Sequence, residues 1–189
     1  MWSLVSVNRP GVMHDILPPS DLPFRQWFEG HGGSFHPAIV LDTSPSGTVV
    51  KVRDEGGPIE AAAVIVRCPT YMMISFAHAS QSRVLRSLIE RDPDSTFGQI
   101  IALRFYLVEQ YLLGADSWWA AYIRSLPQPY DANASHATPI WAEQDVRWLE
   151  KTNVGKATSM RKDIWHDEFT QAKLILERTV PDFAKKLTW

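Results

Sequence analysis

Residues 97–127 read FGQIIALRFYLVEQYLLGADSWWAAYIRSLP. The first seventeen are apolar on nearly every face of a 3.6-residue spiral, so the pattern predicts a helix over 97–113 that is buried on most sides. Gln99, Arg104, Glu109 and Gln110 interrupt it and are expected at its margins or paired. Ser95 or Thr96 is placed to cap its start, and Gly114 to end it. Asp116 or Ser117 then opens a further helix. It carries Trp118, Trp119, Tyr122 and Ile123, and Leu126-Pro127 closes it. Trp118 and Tyr122 lie four apart, so one face is expected to pack on the helix before it.

Helical periodicity continues on both sides of this pair. Upstream, Phe76, Val84, Leu85, Leu88 and Ile89 predict a helix over 75–91, stopped by Asp92-Pro93-Asp94. Downstream comes a loop rich in Pro, Asn, Ser and His, then a short helix over 142–150. A longer helix over 158–178 places Trp165, Phe169, Ala172 and Leu176 on one face, and Pro181 breaks it.

The first 70 residues are of another kind. Pro10, Gly11, Pro18 and Pro19 mark residues 1–20 as an irregular lead-in. Asp21 is a good N-cap, and Pro23 sits in the first helical turn, where its missing N–H costs nothing. Phe24, Trp27 and Phe28 form an apolar stripe that ends at Gly30, Gly32 and Gly33. Residues 38–41 and 48–52 read as strands joined by the turn Ser44-Pro45-Ser46-Gly47. After the turn Asp54-Glu55-Gly56-Gly57-Pro58, the apolar run Ala61–Val66 reads as a third strand, its length and flanking prolines favouring that over a helix fragment. The fold class expected is α+β. A lead-in over 1–20 precedes a small antiparallel β unit with its leading helix over 21–75, and a helical region follows over 76–189.

Composition narrows the function classes. The 189 residues include 19 Lys plus Arg and 21 Asp plus Glu, a formal net charge of −2. That balance leaves no basic footprint for nucleic acid. Apolar runs such as Ala61–Val66 fall far short of the roughly 18 residues a membrane span needs. The N-terminus has no basic segment followed by an apolar stretch, so a soluble intracellular protein, cytoplasmic or nuclear, is expected. One cysteine, Cys68, excludes an intrachain disulfide. Eight tryptophans predict a heavy aromatic load in cores, grooves or both.

The residues that bear chemistry are sparse. Six histidines form no HExxH and no paired Cys/His arrangement. His31 and His36 flank a glycine turn, but two histidines alone do not make a metal site. A Cys68–His78 nucleophilic pair lacks an orienting third group, so a buried structural cysteine is expected instead. No glycine-rich phosphate cradle is present.

Read in order, the segments resemble SET-domain proteins of the Rubisco large-subunit methyltransferase-like class. Phe24–Phe28 resembles the opening helix with its tryptophan. Ser46-Gly47-Thr48-Val49-Val50 resembles the strand pair around a glycine loop, and Val64–Pro69 then Ile74-Ser75 the strand ending in proline and the step after it. Residues 103–114 resemble a long buried helix, and Ser117–Pro127 the "SxWxxYixxLP" segment. Thr138-Pro139-Ile140-Trp141 is similar to "TPLxW". Glu143–Leu149 followed by Thr152-Asn153 is similar to the acidic helix before a "GT" or "TN" turn. The resemblance covers about residues 21–180 and implies S-adenosylmethionine-dependent methylation of protein lysines. It assigns cofactor contact to Ser46, Gly47 and Thr48, and a protein as substrate or partner.

The class also carries an Asn-His cofactor motif and a late catalytic tyrosine. No Asn-His dipeptide occurs here, and the last tyrosine is Tyr130. Of the usual Gly-x-Gly loop, Pro45-Ser46-Gly47 keeps only the second glycine. The resemblance therefore implies a truncated, non-catalytic form, comprising the N-terminal part of SET and its helical insert, with no catalytic residues assigned. The alternative is a helical protein-interaction adaptor unrelated to methyl transfer, in which the strands over 38–67 do not pair around Gly47.

Overall fold

The computed structural model describes residues 6–7, 22–44, 47–91, 96–126 and 143–189. Within them the α+β class holds: three two-stranded antiparallel pairs accompany a mainly helical body. Helix α1 (Leu22–Gly30) begins the described chain after the short strand β1 (Ser6–Val7). Asp21, its expected cap, lies outside the described residues. The helix ends as expected at glycine. Gly32 has φ +80°, its N–H bonds the Glu29 carbonyl, and the Gly33 N–H reaches back to Phe28 at 2.9 Å.

Strands β3 (Ile39–Ser44) and β4 (Gly47–Val52) pair in register from Ile39↔Val52 to Ser44↔Gly47. The strands therefore do pair around Gly47, which the adaptor reading excludes. The third strand is corrected. Only β5 (Val66–Arg67) is extended, and it pairs with β2 (Ser34–Phe35) rather than with the hairpin. Ala62 takes φ +64° and the Ala63 N–H bonds the Glu60 carbonyl, so the alanines form a turn. Alanine has no branched side chain to favour a pleated surface, and the run enters a strand only at Val66, the last of its β-branched residues. The lead-in is corrected too: Ser6 and Val7 of β1 pair with Thr188 and Leu187 of β6 (Leu187–Thr188).

A single-turn 3₁₀ helix, Thr70–Met72, leads into the helical region. The helix expected over 75–91 is two short ones, α2 (Phe76–Ala79) and α3 (Arg86–Arg91). Ser82 divides them. Its hydroxyl accepts the N–H groups of Val84 and Leu85 at 3.2 and 3.3 Å, an alternative to continued helix that serine offers the backbone.

Helix α4 (Thr96–Leu113) matches its expected span. Ala102, Phe105, Tyr106, Leu107 and Gln110 are buried, whereas Ile100 and Leu113 are exposed, so burial is concentrated on part of its circumference. Its polar residues are paired as expected. Gln110 accepts from the buried Ser117 hydroxyl at 2.8 Å, Glu109 accepts from Ser82 at 2.7 Å, and Arg104 bonds Glu168.

Helix α5 (Ala120–Ser125) starts later than expected. A 3₁₀ turn over Gly114–Asp116 comes first, and Ser117 Oγ then accepts the Trp119 N–H at 3.2 Å. The short helix expected over 142–150 is α6 (Glu143–Val146) and a 3₁₀ turn over Arg147–Leu149, with Ala142 outside the described residues. Helix α7 (Asn153–Thr179) begins five residues before the expected start, because Thr152 caps it through a 3.0 Å bond from Gly155 N. Pro181 does break it, then opens α8 (Pro181–Ala184) from a first-turn position.

The main core joins α2–α5 to α7 and α8. Leu85, Leu176 and Leu187 are fully buried in it, and Phe105 stacks on Phe169 across α4 and α7 at 6.4 Å. No helix among the described residues is long and apolar enough to cross a membrane.

Two stability predictions follow from this packing. Gly155 lies in the first turn of α7, where alanine would ordinarily gain about 1 kcal/mol. A Cβ there would stand 2.1 Å from the Leu149 carbonyl oxygen, a backbone atom that cannot swing aside. Gly155→Ala should therefore lower the unfolding free energy measured by urea titration.

Burial raises the Glu109 carboxyl above its ordinary value, and the Ser82 hydrogen bond offsets this only in part. A raised carboxyl binds more protons folded than unfolded, so stability falls as pH rises from the ordinary glutamate value through the raised one. Glu109→Gln keeps an oxygen acceptor for Ser82. It should flatten that fall in a series of thermal melts from acid to neutral pH.

Candidate functional site

The glycine turn is the place to which the sequence assigns cofactor contact. Ser46 lies outside the described residues. Gly47 and Thr48 open β4, opposite Ser44 and Thr43. Beyond them Val49, Val50 and Val52 are exposed at 51, 59 and 52%. Asp42 and Lys51 form an ion pair across the hairpin. The described groups at this turn are the backbone of Gly47 and Thr48, the exposed valines and the Asp42–Lys51 ion pair. S-adenosylmethionine carries a carboxylate, an ammonium, a ribose and an adenine, each of which requires a placed polar partner in a binding site. These described groups alone do not fit that whole group, and no transfer step is derived through it.

An aromatic cluster joins α1 and the turn after it to α5. Trp27 of α1 meets the Trp118 ring edge-on at 5.1 Å, and Phe24 meets Tyr122 at 6.1 Å. His31 packs on Trp118 at 5.2 Å while its Nδ1 donates to the Trp27 carbonyl at 2.6 Å. Tyr71 closes over this corner, its hydroxyl donating to the His31 carbonyl and its ring lying 6.3 Å from Trp118. Tyr71 and His31 were not singled out as partners in the sequence. The only signal for them was the density of aromatic residues.

The face shared by Trp118 and Tyr122 therefore packs on α1, not on the preceding helix as expected. The residue that turns to α4 is Trp119. Its ring meets Tyr106 at 5.8 Å and His78 at 5.0 Å, and its Nε1 donates to the Met72 carbonyl at 2.9 Å. Trp119 is 6% exposed and Trp118 40%. Burial raises the Tyr122 hydroxyl above its ordinary pKa. Burial also raises Tyr106, with the Glu109 carboxylate adding to the effect.

The remaining candidates are accounted for locally. Cys68 is exposed, not the buried structural cysteine expected, and its sulfur lies 3.6 Å from the Pro69 carbonyl. His78 Nδ1 bonds Ser75 Oγ at 3.0 Å, so that nitrogen serves the start of α2 rather than a nucleophile at Cys68. His36 Nδ1 accepts the Ala38 N–H at 3.1 Å. Among the described residues no three or more His, Cys, Asp or Glu gather where they would hold a metal ion.

Trp119→Ala should cost about 3–5 kcal/mol, the range for a deleted buried aromatic, and Trp118→Ala clearly less. Chemical denaturation of the two variants checks the order. Equal losses would place Trp118 in the core after all.

No family model matches the sequence, and no curated protein matches it. Among solved structures, the chain is similar to that of Rubisco LSMT bound to sinefungin and monomethyllysine. The TM-score is 0.62 at 21% identity, over 87% of this chain and 34% of that one. The chain thus spans about a third of the neighbour's length, and at this identity the likeness is one of fold.

Proposed function

We propose that this chain is related to S-adenosylmethionine-dependent protein-lysine methyltransferases of the SET type, and that its 189 residues do not themselves transfer a methyl group. The observation that carries the relationship is the fold likeness to Rubisco LSMT over 87% of the chain, with the strands paired around Gly47 where the motif resemblance puts them. The neighbour binds sinefungin, an analogue of S-adenosylmethionine, and monomethyllysine, which supports a cofactor and a protein lysine as the ligand classes of the lineage.

The proposed inactivity rests on chemistry. Methyl transfer to lysine needs a deprotonated amine held in line with the sulfonium methyl, and positioning of this kind supplies much of an enzyme's rate. The family's Asn-His segment and late tyrosine provide that positioning. This sequence has no Asn-His dipeptide and no tyrosine after Tyr130. Backbone at Gly47 and Thr48 does not replace them.

Isothermal titration calorimetry of the chain with S-adenosylmethionine is expected to give no saturable heat, and a radiolabel assay on protein lysines no transfer above background. Micromolar binding that disappears in Gly47→Val would overturn the inactivity by showing a working cofactor site on β4.

A further inference from the structure

We draw no further inference here: the strongest candidate, the cavity at the N-terminus of α7 lined by Glu150, Lys151, Asn153, Lys156 and Ser159, carries nothing, because it rests on a helix N-terminus that Thr152 already caps and on no second observation that points to a ligand.

Discussion

The Trp119 side chain fixes how the two parts of this molecule meet. Its ring fills the space between Tyr106 and His78, and its Nε1 holds the Met72 carbonyl. That carbonyl belongs to the turn through which the β unit enters the helices. A single buried side chain thus binds α4, α2 and the incoming chain at once. The indole suits the position because it supplies a large apolar area and one donor, and Met72 accepts from that donor. Trp118, next to it, faces the opposite way onto Trp27, His31 and Tyr71, so two adjacent tryptophans close two different seams.

Around that point α4 is held by polar pairs as well as by apolar burial. Gln110 meets Ser117 at the start of the α5 turn, Glu109 meets Ser82 at the α2–α3 corner, and Arg104 meets Glu168 on α7. Each pair satisfies a group that the apolar surroundings would otherwise leave costly. Each also pins α4 to a different neighbour. Ser82 illustrates the economy of the arrangement, since one hydroxyl donates to Glu109 and accepts two backbone N–H groups.

The hairpin bearing Gly47 stands apart from this. Its ladder is regular, but three of its valines face solvent and its charges neutralise each other. Trp148, 85% exposed on the 3₁₀ turn before α7, is another large apolar side chain outside the core. The region that the resemblance links to a cofactor thus carries valines exposed to solvent, while the hairpin is anchored at its base by the buried Ala38 and Ile39.

Local pattern was enough to read α1, α4, the buried face of α7 and the strands flanking Gly47. In each case residues a fixed interval apart share one environment, and the interval is a property of the backbone. The α+β class and the resemblance followed from the order of these segments. Other features were decided only by groups distant in sequence. The helix over 75–91 breaks because Ser82 finds Glu109, twenty-seven residues away, as well as its own backbone. The alanines over 61–63 turn rather than extend, and β5 finds its partner at Ser34–Phe35, not in the nearby hairpin. The pairing of Ser6–Val7 with the C-terminal strand, and the division of labour between Trp118 and Trp119, have no local signature at all. Neighbouring aromatic residues look alike in a sequence. Which of them is buried depends on where the chain places a ring, a carbonyl or a strand edge to receive it, and that is settled by tertiary structure.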